Sequence, residues 1–163
     1  MASIKKIGDW KAAAAQIKGM KTDIQSANEV ALKQIGLKGE RYVVKVIQSQ
    51  PSEWPPLKDK YRNWKKKHGY SSLMLMRTRD MFNRITSFAD KKQVFIGLKR
   101  EAINREGESL ANIAAIMEFG SKKRNIPARP FLLPAHKKLM DEGLQKLFTE
   151  LYLKECKRKY KTS

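Results

Sequence analysis

The stretch Asn112–His136, NIAAIMEFGSKKRNIPARPFLLPAH, differs from the lysine-rich chain around it and is the most informative part of the sequence. Two apolar runs flank a basic loop that contains two prolines. The first run has helical periodicity, with Ser109 as its expected N-cap and Gly120 as its expected C-cap. We therefore expect a short helix, a loop and a second helix, and no residue in the stretch looks catalytic.

The N-terminal region is expected to be helical. Asp9 is a suitable N-cap for a short alanine-rich helix, which Gly19 loosens or ends. A capping box of Ser26 and Glu29 indicates the start of a longer helix that reaches about residue 50. Two glycines are expected to strain this longer helix: Gly36 and Gly39.

Three prolines then break the helical pattern and predict an extended connector, in which Trp54 plugs the edge of the core. A short helix that stops at Gly69 should carry Tyr61 and Trp64 on one face. The run from residue 73 to 88 is interpreted as another helix. Its inward-facing side chains would be Leu73, Met76, Met81, Phe82 and Ile85.

The segment Gln93–Arg100 is rich in β-branched and aromatic residues and predicts a strand that pairs with residues 84–88 or their neighbours. From Pro134 to about Tyr160 the apolar spacing predicts one amphipathic helix with a basic end. The fold class is therefore α+β, with a small antiparallel sheet packed against several helices. We expect an N-terminal helical arm over residues 1–50 and a core over residues 51–163.

The charge balance predicts attraction to polyanions, because 35 Lys and Arg residues oppose 16 Asp and Glu residues and give a net charge of +19. Charge alone leaves two alternatives open, solubility with weak nonspecific nucleic-acid affinity or a dedicated nucleic-acid-binding protein. The single cysteine, Cys156, excludes an intrachain disulfide and favours folding in a reducing cytosol. The sequence contains no run of about 18 apolar residues, so no membrane span is predicted.

An enzyme is poorly supported by the sequence. His68 and His136 stand alone, the serines lack a paired base, and the nine glycines form no phosphate-binding loop. We therefore expect no catalytic residue, no metal and no cofactor. A nuclease whose carboxylates come together only in the folded chain stays open as an alternative.

Two basic stretches are candidates to face DNA. They comprise Lys65, Lys66 and Lys67 in the middle of the chain and Lys157, Arg158 and Lys159 near its end. Tyr61 and Trp64 alternate with cations in the stretch KDKYRNWKKKH, residues 58–68, which contains the first group. Single-strand binders combine aromatic residues and cations in this way, because bases stack on the rings. The three-residue spacing of Tyr61 and Trp64 is equally what a packed helix face requires, and we favour that interpretation.

A set of motif residues follows in a fixed order along the chain: Ile96, Gly97, Glu118, Phe119, Gly120, Ile126, Pro127, Ala128, Arg129, Pro130, Phe131 and Leu132. Together with the segments around them, these residues resemble the virion-morphogenesis, tail-completion and neck proteins of tailed bacteriophages. The resemblance covers about half the chain, from Trp54 to Ala135. One departure is Thr78 followed by Arg79, where that family often has Thr-Gly before the helix that enters the sheet.

The resemblance implies a structural α+β subunit of the virion, assembled in the cytoplasm of the host bacterium. Its copies would form a ring, usually sixfold, at the head–tail junction. There the ring would join the portal-side connector to the tail and surround the path of the genome, with nonspecific contact to DNA. The alternative function is a stand-alone basic nucleic-acid-binding protein.

The interface of such a ring would use the motif and its loop. The candidate interface residues are Glu118, Phe119, Lys122, Lys123, Arg124, Pro127, Arg129, Pro130 and Phe131. Phe119 and Phe131 would anchor the loop, and Arg129 would cap backbone carbonyls or pair with Glu118. The competing interpretation is that Phe119, Phe131 and Arg129 only stabilise the monomer.

Overall fold

The computed structural model describes residues 8–160 and has an α+β fold, which confirms the predicted class. In chain order the elements are α1 (Trp10–Ser49), α2 (Asp59–Lys67), α3 (Asp80–Asn83), β1 (Ile85–Ala89), β2 (Val94–Leu98), α4 (Leu110–Phe119), α5 (Leu132–Asp141) and α6 (Leu144–Tyr160). The first seven residues of the predicted arm and the last three of the basic tail lie outside the described residues. None of the described helices is long and apolar enough to cross a membrane.

The two strands form an antiparallel hairpin in which Ser87 lies opposite Ile96. The turn between them is closed by Asp90, whose carboxylate accepts hydrogen bonds from the backbone amides of Lys92 and Gln93 at 2.7 and 2.8 Å. These two bonds lower the pKa of the Asp90 carboxyl. The predicted strand and its pairing with residues 84–88 are confirmed.

The N-terminal helix is one continuous element of 40 residues, so the prediction of two helices was wrong. Asp9 is its N-cap, as expected, and accepts hydrogen bonds from the amides of Lys11 and Ala12. Ser26 lies inside the helix and caps nothing. A single glycine such as Gly19 costs a helix only about 1 kcal/mol, too little to end it where no proline follows.

Gly36 and Gly39 allow α1 to lie close to the hairpin. A Cβ atom at Gly36 would lie 2.9 Å from Cγ2 of Val94, and one at Gly39 would overlap the side chain of Ile96. The expected strain is therefore absent, because helix α1 continues through both positions. The glycines instead remove the side chains that would hold the helix away from the sheet.

The core lies where the second half of α1 meets the hairpin, α4, α5 and the proline connector. Val43, Ile47, Leu110 and Phe131 belong to it and are fully or nearly fully buried. Trp54 also belongs to it, as predicted, and its indole donates a hydrogen bond to the carbonyl of Pro130 at 3.0 Å. The connector is thereby fixed to the residues that precede α5.

The helix predicted over residues 73–88 was wrong. Only the single turn α3 is helical, and residues 85–89 form β1. Leu75 and Arg79 have positive φ angles of 60° and 62°, which a right-handed helix does not contain. Met76, Met81 and Ile85 are buried as expected, whereas Leu73 is exposed.

The single C-terminal helix predicted from Pro134 onward is divided into α5 and α6. The break falls at Gly143, where φ is 78°, and the amide of Gly143 donates to the carbonyl of Met140 at 3.0 Å. A glycine in this left-handed conformation is the usual end of a helix. Both α5 and α6 pack against α1.

The predicted division at residue 50 stays a prediction, but the two halves of α1 differ in burial. Residues Ala27, Ala31 and Ile35 are buried, and α1 contacts β1, β2, α5 and α6. Towards the N-terminus, Trp10 and Ile17 are 64% and 67% exposed. Only the first part of the predicted arm therefore lies free of the core.

Candidate interaction site around Glu118 to Phe131

The loop that follows α4 folds back on the end of that helix. Gly120 has φ 76° and ψ 175°, a conformation that is almost confined to glycine. A Cβ atom there would lie 2.9 Å from the amide nitrogen of Ala128. Ser121 and Ile126 exchange two backbone hydrogen bonds of 2.8 and 3.0 Å, which close the loop.

Glu118 caps the N-terminus of α5 from the neighbouring helix α4. Its carboxylate is buried and accepts hydrogen bonds from the amides of Phe131, Leu132 and Leu133 at 2.7, 2.9 and 2.9 Å. The positive end of the helix dipole favours a negative charge at this place. The predicted interface residue Glu118 is therefore turned inward and holds two helices of the same chain together.

Arg129 ties the loop to the proline connector. Its guanidinium donates hydrogen bonds to the carbonyls of Pro55 and Pro56 at 2.9 and 3.3 Å. Of the two expected roles, the capping of backbone carbonyls is the one observed. Burial lowers the pKa of Arg129, and the side chain forms no ion pair with a described carboxylate.

The two phenylalanines of the motif have opposite environments. Phe131 is fully buried in the core, whereas Phe119 is 82% exposed. The interpretation that both rings stabilise the monomer holds for Phe131 and is wrong for Phe119. The side chains of Lys122, Lys123, Arg124 and Pro127 are exposed, so this part of the predicted interface does reach the surface.

Phe119 lies at an apolar groove of about 480 Å³ between β2, α4 and α5, which we call the Phe119 groove. Phe95 and Ala115 line it, and Leu133, 66% exposed, lies on the α5 side. Sequence reasoning missed Phe95 and Leu133. The signal available was weak, because the groove forms only when the hairpin and α5 meet beside α4.

Of the basic residues proposed to face DNA, some are buried or paired and others are exposed. Lys65 is 1% exposed and donates a hydrogen bond to the carbonyl of Leu73 at 2.7 Å, so its expected orientation towards DNA is corrected. Lys66 and Lys67 are exposed. Near the end of α6, Lys157 is exposed, Arg158 binds Glu155, and Lys159 lies 3.0 Å from Asp23 of α1.

An aromatic cluster covers the outer side of α2. Tyr61 stacks on Trp64 at a centroid distance of 5.7 Å, and Trp64 contacts His68 and Tyr70 at 4.5 and 5.4 Å. Tyr61 and Trp64 stay 40% and 38% exposed. The rings therefore pack on one another rather than into the core, which differs from the packed face that the spacing favoured.

Comparison with known proteins shows similarity to an archaeal protein. The chain is 32% identical over 102 residues to an uncharacterized protein of Methanocaldococcus jannaschii, MJ0331, and the match covers 59% of this chain and 66% of that protein. The chain thus spans just under two thirds of the length of this relative. No protein-family model matches, and no solved structure matches.

Within residues 8–160, no group of three or more metal-binding side chains comes together.

Proposed function

We propose that this chain is a non-enzymatic structural protein of a tailed-bacteriophage virion. It is a neck or tail-completion subunit that forms a ring at the head–tail junction. Its partners are further copies of itself, in the sixfold arrangement that the resemblance implies, and the connector and tail proteins on either side. It assembles in the cytoplasm of the host bacterium.

The exposure of Phe119 is the observation that carries this proposal. In a motif whose other large side chains serve the core, this ring is 82% exposed and adjoins an apolar groove. Exposed apolar surface beside a groove is typical of a site that another protein covers. When an anchor on one copy enters a groove on the next, the contact is heterologous and can close into a ring.

The first part of α1 offers a second adhesive surface. Trp10, Ile17, Met20 and Ile24 are between 47% and 67% exposed. Their spacing of seven, three and four residues places them on one side of the helix. An apolar stripe on a free helix segment is suited to lie in a groove of an adjacent protein, as expected of a helical arm.

Deletion of the gene and complementation in trans test the proposal. Cells that lack the gene should release separate heads and tails, and the wild-type gene should restore joined particles. Phe119→Ser should fail to restore them, because a polar side chain removes the apolar anchor. The control is Ile103→Ser, which removes an apolar side chain that is 59% exposed and does not line the Phe119 groove.

Electron microscopy of the released particles gives the readout. Joined particles in the deletion strain would refute a role at the head–tail junction. Full restoration by Phe119→Ser would show that the protein joins heads to tails without the side chain of Phe119.

The aromatic cluster of α2 supports a second candidate function, a stand-alone nucleic-acid-binding protein. Exposed rings at Tyr61 and Trp64 lie among Lys60, Lys66 and Lys67, a combination used by proteins that stack single-stranded bases and hold the backbone. The rings already stack on one another, which leaves less free face for a base. This function is therefore ranked second.

A further inference from the structure

A second cavity of about 480 Å³ lies between α2 and α4, and we call it the α2–α4 pocket. Its wall is largely apolar and includes Met74, Met81, Ile113, Ile116 and Met117. The volume lies within the range of natural ligand sites, roughly 300 to 1,000 Å³. Methionine side chains adapt to different partners, which suits a site that receives a flexible chain.

Cations outnumber carboxylates around this pocket. Its lining includes Lys58, Lys65, Arg77, Arg79, Arg124 and Arg129, against two carboxylates. Both carboxylates have partners within the chain, since Asp80 lies 3.5 Å from Arg105 and Glu108 accepts a hydrogen bond from Asn104. Arg77 is likewise engaged by Glu106 at 2.7 Å. The pocket therefore keeps a positive excess.

Lys65 and Arg129 are the unusual members of this set. They are 1% and 6% exposed, and backbone carbonyls are their described hydrogen-bond acceptors. Neither forms an ion pair with a described carboxylate, although buried cations are usually paired. Burial lowers the pKa of both side chains, as expected for cations that lack a counter-charge.

We propose that the α2–α4 pocket binds an apolar peptide segment of a partner protein that carries carboxylates. The apolar side chains of the segment cover the methionines and isoleucines, and a carboxylate offsets the uncompensated cations. Charges that face each other across low-dielectric protein attract strongly even without direct contact. A phosphodiester chain fits less well, because it brings no aliphatic groups to the apolar wall. This inference does not depend on the proposed ring.

Three dansylated, C-terminally amidated peptides test the proposal on the full chain by fluorescence anisotropy. The first alternates leucine and glutamate, the second leucine and glutamine, and the third serine and glutamate. We expect the first to bind about tenfold more tightly than either of the others, because it alone supplies both kinds of group. Equal binding of the first and third peptides would show attraction to surface charge alone and overturn the proposal.

Two variants one residue apart locate the binding site. Arg124 is exposed and lines the pocket, whereas Lys123 is exposed and does not. Arg124→Gln should weaken the leucine–glutamate peptide about threefold to fivefold, as for a partly exposed ion pair. Lys123→Gln removes the same charge and should leave binding within experimental error. Equal effects of the two variants would place the peptide elsewhere.

Lys65→Met removes the buried charge and keeps the aliphatic stem. We expect it to reduce the preference for the leucine–glutamate peptide over the leucine–glutamine peptide about twofold to threefold, because Arg124 still contributes its share. Circular dichroism checks the folding of the variant. A short oligothymidylate is the competitor. If it displaces the first peptide and its own binding depends on Arg124 but not on Lys123, the pocket belongs to a nucleic acid and the proposal is wrong.

Discussion

The carboxylate of Glu118 closes the N-terminus of α5 from another helix. The residue at the N-cap position of α5 is Phe131, which has no side-chain acceptor and forms no capping bond. Without Glu118, the buried amide of Phe131 and the partly buried amides of Leu132 and Leu133 would lack this acceptor, and buried polar groups are costly to leave unsatisfied. One carboxylate thus joins α4 to α5 and fixes the loop between them.

Replacement of Glu118 should therefore be strongly destabilising. We expect Glu118→Ala to lower the free energy of unfolding by about 3 kcal/mol, since charged hydrogen bonds and a helix cap are lost together. Glu118→Gln keeps an acceptor oxygen and should cost about half as much. Guanidinium denaturation followed by circular dichroism measures both.

Glu106→Ala is the control for this prediction. Glu106 binds Arg77 at an exposed position, where ion pairs contribute less than about 1 kcal/mol. If Glu118→Ala is no more destabilising than Glu106→Ala, the capping role is wrong.

At the residue scale, the sequence predicted roles that depend on neighbouring residues. It did not predict roles that depend on contacts between distant parts of the chain. Asp9, Ser109 and Gly120 were identified because a helix cap depends on a few neighbouring residues. Glu118 was assigned to an interface because the helix that it caps begins 14 residues further along the chain. The exposure of Phe119 depends on how α5 and β2 lie beside α4, and no local pattern encodes it.

Element boundaries depend on what each helix packs against. In α1, Gly19 has no neighbour near its missing side chain, whereas Gly39 lies against Ile96 and Leu139. The same residue type therefore has a purely local effect at one position and a packing role at the other. This difference is what the sequence could not show.

Alanine substitution should separate the two glycines. Gly19→Ala should raise the stability of the helix by about 1 kcal/mol through helix propensity alone. Gly39→Ala should lower the free energy of unfolding by about 1 to 2 kcal/mol, because overpacking outweighs that gain. Thermal melts and helical circular dichroism of both variants provide the comparison, and stabilisation by Gly39→Ala would contradict the close approach of α1 to the hairpin.

The break between α5 and α6 carries a polar contact to α1. Glu142 lies 2.8 Å from the amine of Lys38 and accepts a hydrogen bond from the hydroxyl of Tyr42. The bonds from Lys38 and then Tyr42 lower the pKa of Glu142. The bond to Glu142 raises the pKa of Lys38 and of Tyr42.

This contact should make stability depend on pH on the acid side. Because the pKa of Glu142 is lower in the folded chain, its contribution is present above the ordinary value of 4.5 and is lost as pH falls through the folded value. The pKa of Lys38 is raised in the folded chain, so the stability that Lys38 contributes is present below 10.5 and is lost only as pH rises through the folded value. Glu142→Gln should therefore flatten the loss of stability between about pH 5 and pH 3.

Denaturation midpoints across that pH range give the measurement. Asp141→Asn removes the same charge one residue away, and its side chain takes no part in these bonds. If Asp141→Asn flattens the profile as much as Glu142→Gln, general charge repulsion rather than this contact determines the acid sensitivity.

At the scale of the whole molecule, the sequence predicted the α+β class because strand β2 and most helices are marked locally. The prediction that α1 is two helices was wrong because Gly19 was taken as a helix end, although a single glycine costs a helix only about 1 kcal/mol. The effect of charge, by contrast, depends on the fold. A net charge of +19 indicates attraction to polyanions, but only the fold shows that Lys65 and Arg129 are withdrawn from the surface.

Binding to random duplex DNA across a salt series should therefore be weak. If the positive surface mainly meets protein partners, affinity should vanish near about 0.15 M salt, because nonspecific phosphate contacts are displaced by ions. Fluorescence anisotropy with the full chain measures it.

Trp64→Leu should bind single-stranded oligothymidylate as the wild type does, because the ring of Trp64 already stacks on Tyr61 and on Tyr70.

Phe88→Leu is the matched control, since Phe88 is 52% exposed and belongs to the hairpin rather than to the aromatic cluster. Tight binding that depends on Trp64 would instead reverse the order of the two candidate functions. Submicromolar affinity at physiological salt, with a loss of about 1 to 3 kcal/mol in Trp64→Leu but not in Phe88→Leu, would identify the cluster as a base-stacking surface. Nucleic-acid binding would then become the leading function, because a protein that binds only other proteins does not need Trp64 for affinity to an oligonucleotide.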